Sequence, residues 1–340
     1  MKRKKRIFLA TGAVIVAAVA AGVFFYTGIK ADGVLRDSDI YIPTGADYAV
    51  LTDSLQSSGA IKNMSRLHTA ARLTGLTDNV RPGRYRLKKG MGYTGIARMF
   101  QRGLQSPVTV TFNNVRTLPQ LAGKIARQIE PDSLTMLRAL TADSTASAYG
   151  FDKRTFIDMF IPNTYEFYWN TTPESFIERM KKEYDKFWNE ERSAKLALTG
   201  LTREQAVTLA SIVYEETKMS DEMATVAGVY MNRLRVGMPL QADPTVKFAV
   251  GDFTLRRILN RHLTTDSPYN TYKYAGLPPG PIAMPSISAI DAVLDYRKHR
   301  YIYFAAKPDF SGYHNFAVTL AEHNRNADAY RRALNARGIR

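Results

Sequence analysis

The chain has 340 residues, is 45% hydrophobic and 23% charged, and carries a formal net charge of +16, which suffices for one large domain or two modest ones, each with its own core. It contains no cysteine, so disulfides, thiolate catalysis and Cys-ligated metal sites are excluded. In a cytosolic protein such a basic balance would suggest nucleic acid; the N-terminus argues for another setting.

Lys2, Arg3, Lys4, Lys5 and Arg6 precede an uncharged apolar stretch from Ile7 to Ile29. As a helix this stretch would span roughly 35 Å at about 1.5 Å per residue, enough to cross a bilayer core. A cleaved signal peptide is shorter in its apolar part, and here the run continues through Val23, Phe24 and Phe25 to Tyr26, a residue suited to the membrane interface. The expectation is a cytoplasmic tail (1–6), a single-pass helix (7–29) in the inner (cytoplasmic) membrane, and everything after Lys30 outside the cytoplasm, because basic flanks stay inside. In that setting the positive surface points to anionic headgroups or an anionic cell-wall polymer, not to nucleic acid.

After a linker (30–38), a small region covers 39–106. It predicts a strand at 39–43, a helix at 47–57 ended by Gly59, a helix at 63–73, a strand within VRPGRYRL, and a helix running to Gln101. The remainder (107–340) opens with a strand at 108–112 and a helix at 118–129. Residues 131–160 look helical, and Thr172-Pro173 opens a charged helix to about Arg192. Thr202 and Gln205 form a capping box for the next helix. Ser220 is expected to cap a helix at 221–235, which Gly237 stops. Residues 264–286 combine Tyr269, Tyr272 and Tyr274 with prolines and glycines, the composition of a long ordered loop. RYIYFAA (300–306) reads as a strand, with SGYHNF following a turn. Helices and strands alternate without a βαβ period, so the fold class is α+β.

The helix after Thr202 carries the most informative residue. Apolar side chains recur at Ala206, Leu209, Ala210 and Val213, the buried stripe of an amphipathic helix, and three residues further the stripe reaches Glu216. Glu215 falls with Glu204, Thr208 and Ser211 on the polar face. A carboxylate on the packed side is desolvated unless paired, and so holds its proton more tightly, as a general acid near neutral pH must. The structural alternative is a glutamate that snorkels or pairs with a buried arginine such as Arg233 or Arg235.

LASIVYEET, VYMNRLRVGMPLQADPTVKFAVG, DSPYNTYKYAGLPPGPIAMPS, YFAAKPDFSGYHNF, LAEHN and the earlier FIPNTYEF together resemble the YceG-like family of endolytic murein transglycosylases. The resemblance covers nearly all of the chain beyond the apolar stretch. It implies a single-pass inner-membrane enzyme with a LysM-like region (39–106) before a mixed α+β catalytic domain (107–340), cutting peptidoglycan glycan strands beside the membrane and beside cell-wall synthases. It also implies that the catalytic glutamate is the one before the threonine, Glu216. Two positions depart from the family pattern: Tyr214, where many relatives carry a further glutamate, and Met284, where asparagine is commoner.

Glycosidases with two carboxylates use one as acid and the other as base or nucleophile, whereas a lytic transglycosylase requires one. Under the resemblance, Glu216 protonates the bridging oxygen between N-acetylmuramic acid and N-acetylglucosamine, then takes the proton of the muramic acid C6 hydroxyl as it attacks its own anomeric carbon, leaving a 1,6-anhydro end. Asp243 is the rival carboxylate; Asp-Pro more often makes a turn or cap, and Asp243 orders its loop or binds sugar hydroxyls. Gln241, Asp243 and Thr245 form an expected polar wall, and Ser267, Tyr269, Asn270 and Tyr272 offer hydroxyl, amide and aromatic faces for sugar, with core packing as the alternative for the tyrosines. His314 is expected to contact substrate or orient Glu216. Five scattered histidines without paired spacing give no metal site, and no cofactor is expected. Two other functions stay open: a non-catalytic wall-binding scaffold, and a hydrolase using Glu216 with Asp243 and water.

Overall fold

The computed structural model describes residues 2–255 and 258–338. These divide into two compact units, the first reaching Val110 and including Gln128–Pro131 and Tyr165–Thr171, the second comprising the rest.

The first unit begins with helix α1 (Lys2–Lys30). Among the described residues no helix is long and apolar enough to cross a membrane; the expected span lies on α1, where several side chains fall outside the described ones. Strand β1 (Ser38–Ile42) pairs antiparallel with β2 (Gly83–Leu87), Ile40 opposite Tyr85. Alternation puts Ile40, Ile42, Tyr85 and Leu87 inside and leaves Asp39 outside to pair with Arg84 at 2.7 Å. Gly83 sits at φ +137°, and a Cβ there would stand 2.1 Å from the Gln105 side chain, so the strand must start on glycine. Helices α2 (Tyr48–Ser58), α3 (Met64–Thr74) and α4 (Tyr93–Arg102) cover the hairpin, burying Leu51, Leu55, Leu67, Ile96 and Phe100. Asp47 caps α2 by accepting from the Val50 amide, and Gly59, in the left-handed conformation, ends it.

Strands β3 (Val108–Phe112) and β4 (Asn163–Phe167) form a second two-stranded sheet. The second unit holds α5 (Leu118–Ala126), α6 (Ser133–Thr141), α7 (Thr145–Ala148), a 3-10 turn (Phe156–Met159) and α8 (Pro173–Phe187). The charged helix expected to reach 192 stops at Trp188 instead. Asn189 there accepts from the Arg192 amide and starts α9 (Glu190–Thr199). Next come α10 (Arg203–Glu216), α11 (Ser220–Arg235), α12 (Asp243–Val250), α13 (Asn260–Leu263) and α14 (Ile287–Leu294). The hairpin β5 (Tyr303–Ala306) with β6 (His314–Ala317) and helix α15 (Leu320–Ala336) complete the unit.

Helix α10 is the centre of this unit and packs against α11, α12 and α14. Its face with Thr208 and Ser211, expected to be solvated, is buried. The Ser211 hydroxyl donates to the Thr208 carbonyl at 2.7 Å and accepts from the Ile282 amide at 3.0 Å. A helix enclosed by the 264–286 loop buries short polar groups at little cost once each is hydrogen-bonded. Ser220, expected as a cap, lies inside α11; Met219 holds the cap position without a side-chain bond, and its own amide donates to Thr217 Oγ1 at 3.1 Å.

Candidate active site

Thr202 and Gln205 close a reciprocal capping box at the start of α10, and the helix delivers Glu216 at its last turn. There Glu216 borders a cavity of about 290 Å3, shared with Arg233 from α11, Gln241 and Asp243 at the start of α12, and Tyr272 from the long loop. Phe304 from β5, His314 from β6 and His323 from α15 close the other side.

Glu216 is surrounded by protein except where it meets the cavity, and desolvation pushes its carboxyl from 4.5 up to about 7. The negative charge of Asp243 pushes the same way, while the Tyr230 hydroxyl and the Arg233 guanidinium oppose it. Tyr230, buried in α11, donates to Glu216 Oε1 at 2.9 Å. Its ring stands edge-on to Phe304, 5.8 Å between centroids. The expected alternative, an ion pair with an arginine such as Arg233 or Arg235, is not formed among the described residues. Buried Arg233 donates to the carbonyls of Ile302 (2.7 Å), Pro239 (3.3 Å) and Leu240 (2.7 Å), and Arg235 donates to Asn232 Oδ1. Glu215, expected to be solvated, pairs with Arg116 at 2.8 Å on the neighbouring face.

Asp243 Oδ1 accepts from the Tyr272 hydroxyl at 2.6 Å. Gln241 lies at φ +49°, a left-handed conformation that a non-glycine residue adopts at a cost of about 1 kcal/mol. Its amide bonds to the Thr271 carbonyl at 3.0 Å, so the loop holds the strained backbone in place.

The structure therefore brings Glu216, Gln241, Asp243, Tyr272 and His314 to one cavity. Thr245, Ser267, Tyr269 and Asn270 do not border it. Asn270 is fully buried and spends its amide on the carbonyls of Leu263 (2.9 Å) and Thr265 (2.8 Å) and the Tyr272 amide (3.1 Å). Thr245 is likewise buried and bonds to the Ala242 carbonyl and the Thr271 hydroxyl. Ser267 Oγ accepts from the Tyr269 amide, and the Tyr269 ring packs on Phe248 at 4.6 Å. Met284 is buried, with its amide bonded to the Val115 carbonyl.

Tyr230, Glu222 and His323 escaped the sequence reading, and Arg233 entered it only as a possible ion-pair partner of Glu216. A signal existed in α11. Met223, Val226, Ala227 and Tyr230 follow the same i, i+3, i+4, i+7 stripe, and Glu222, Val226, Val229 and Arg233 run along its flank, all buried. Charged ends on a buried stripe mark groups with work to do in the interior.

Comparisons with known proteins show what the chain is similar to. The chain is 29% identical over 332 residues to the endolytic murein transglycosylase of Bacillus subtilis, covering 92% of this chain and 91% of that protein. It is 27% identical to the endolytic murein transglycosylase of Streptococcus pneumoniae, covering 94% of this chain and 64% of that longer protein. The crystal structure of a YceG-like protein from Listeria monocytogenes superposes with a TM-score of 0.57 at 27% identity, over 85% of this chain and 99% of that one. The YceG-like family model matches residues 40–329, and the chain belongs to that family.

Proposed function

We propose that this protein is a membrane-anchored endolytic lytic transglycosylase that cleaves the MurNAc-GlcNAc bond of peptidoglycan strands, with Glu216 as the acid. The observation that carries this reading is a carboxyl raised to about 7 at the edge of an open cavity. Tyr230 occupies Oε1, so the acid proton belongs on Oε2, free to meet the bridging oxygen. Protonation of that oxygen breaks the bond to the muramyl anomeric carbon. The muramyl C6 hydroxyl closes on that carbon, its proton restores Glu216, and a 1,6-anhydro end results without water. Gln241, Asp243 and Tyr272 are the sugar contacts in this reading, and His314 borders the same cavity. The relatives' printed name supports murein as the substrate.

Residues 7–29 serve as the membrane anchor in this proposal, with the active site on the outer side of the cytoplasmic membrane, near the synthases that supply its strands. Val14, Ile15, Val16, Val19 and Val23 are each more than half exposed on α1, an arrangement that lipid would accommodate. The region 39–106 is read as LysM-like, a glycan contact or a spacer.

One observation favours a second reading, hydrolysis. Asp243 lines the same cavity and could direct a water as Glu216 protonates the leaving oxygen. Mass spectrometry of murein digested by the detergent-solubilised chain decides between the two. Anhydro ends are expected; reducing ends would replace the proposal by hydrolysis, and an uncut polymer would leave a binding protein.

A further inference from the structure

Glu222 is a buried carboxylate that the mechanism above leaves idle. It stands in the first turn of α11 and is 6% exposed. Oε1 accepts from the backbone amide of His314 at 2.8 Å, and Oε2 is 2.7 Å from His314 Nδ1. Oε2 also accepts from the Thr217 hydroxyl at 3.2 Å, and Thr217 is the residue that follows Glu216 and ends α10. One carboxylate thus ties the end of the acid's own helix to the strand that carries His314.

The consequence lies in the imidazole. A neutral histidine has one N–H and one lone pair, and a carboxylate at Nδ1 places the proton there. The lone pair is then on Nε2. Nε2 has no protein partner among the described residues, and His314 lines the cavity beside Glu216. The ring is fixed from the side by Phe304, edge-on at 5.2 Å. A buried acid that sets the tautomer of a histidine, which in turn presents a lone pair to the reacting groups, is a recurrent way of making a base.

We propose that His314 is the base of the cyclisation and that Glu222 is its positioning residue. This rests on the transglycosylase reading and refines its second half. Glu216 gives its proton to the bridging oxygen, and the bond between that oxygen and the anomeric carbon breaks. The C6 hydroxyl bonds to the anomeric carbon and its proton passes to Nε2. The imidazolium, stabilised by Glu222, returns that proton to the Glu216 carboxylate, so protons balance and no co-reactant is needed.

Glu222→Gln tests this in the full chain in detergent, with purified murein as substrate. The glutamine amide donates to Nδ1 and moves the imidazole proton to Nε2, abolishing the lone pair. The expected result is a fall in kcat of about 10²–10⁴-fold with KM little changed. His314→Gln should show the same loss, and the double variant should lose no more than either alone. Nitrogen-15 NMR of the histidines should show the N–H of His314 on Nδ1 in wild type and on Nε2 in Glu222→Gln, independently of turnover. Wild-type kcat in Glu222→Gln, or additive losses, would overturn the proposal. If Glu222→Gln does not fold, His314→Gln decides alone: lost kcat at unchanged KM supports the base, and wild-type kcat overturns it. Absence of anhydro ends from the wild-type chain would instead defeat the transglycosylase reading, while the NMR tautomer would still report on the Glu222 contact.

Discussion

Two acids in the second unit are held against their solvent preference, and only one of them faces an opening. Glu216 ends α10 beside a cavity of about 290 Å3. Asp158 sits in the 3-10 turn, and burial pushes its carboxyl well above the usual range. Neither Asp158 oxygen has a hydrogen-bond partner among the described residues. Around it are Ile157, Phe160, Ile161, Val207 and Ile290, with about 10 Å3 of free space, room for about one water. Both carboxyls are perturbed chiefly by desolvation, so a shifted pKa does not mark a site by itself. What separates them is access. Glu216 has one oxygen held by Tyr230 and a polar cavity before the other, whereas Asp158 has neither.

Substitution at the two acids gives the largest test of that contrast. Glu216→Gln keeps the shape and removes the transferable proton, so murein cleavage should fall by about 10²–10⁴-fold. Asp158→Asn should leave the turnover of the folded protein unchanged. Product release measured on both variants settles it: an active Glu216→Gln, or an inactive but folded Asp158→Asn, would break the comparison.

Stability should sharpen it next. The Glu216 carboxyl is raised from 4.5 to about 7 in the folded chain, so between those values the folded state binds the extra proton. Wild-type stability therefore declines, relative to Glu216→Gln, as pH rises from about 4.5 to about 7, and the gap is constant above that. A shift of this size corresponds to about 3 kcal/mol. Melting temperatures across pH should show Glu216→Gln more stable than wild type above neutrality and equal to it in acid. Asp158→Asn should gain in the same direction, since its carboxyl is also raised. A gap at Glu216 that does not vary with pH would show that its proton is not held by burial.

The smallest effect concerns the oxygen that Tyr230 holds. Its hydroxyl favours the Glu216 carboxylate, so Tyr230→Phe should tighten the proton and move the alkaline limb of the rate profile upward by about one pH unit. A limb that stays in place would mean that the bond does not influence the acid.

The local elements were legible because their signals are local. Asp47 and Gly59 bracket α2, Thr202 and Gln205 open α10, and the alternation of Ile40 and Ile42 reads as one face of a strand. The stripe through Ala206, Leu209, Ala210 and Val213 reached Glu216 for the same reason, since 3.6-residue periodicity is written in the chain. Where a polar group's partner is set by the folded course of a loop or by a distant segment, residue type did not show the pairing. Asn270 and Thr245 looked like sugar contacts because amides and hydroxyls in a loop bind sugars, yet their bonds close the loop itself. Ser211 looked solvated until the Ile282 amide arrived from 71 residues away.

The sequence by itself determined the helix that carries the acid, its caps, the basic and apolar N-terminus and the absence of cysteine chemistry, all of which follow from residue type and spacing. Only the tertiary structure decided which carboxyl has a cavity, that Tyr230 rather than an arginine holds Glu216, and that Glu222 reaches His314 across 92 residues of chain. Desolvation and hydrogen-bond pairing depend on what packs around a group, and packing is a property of the folded chain as a whole.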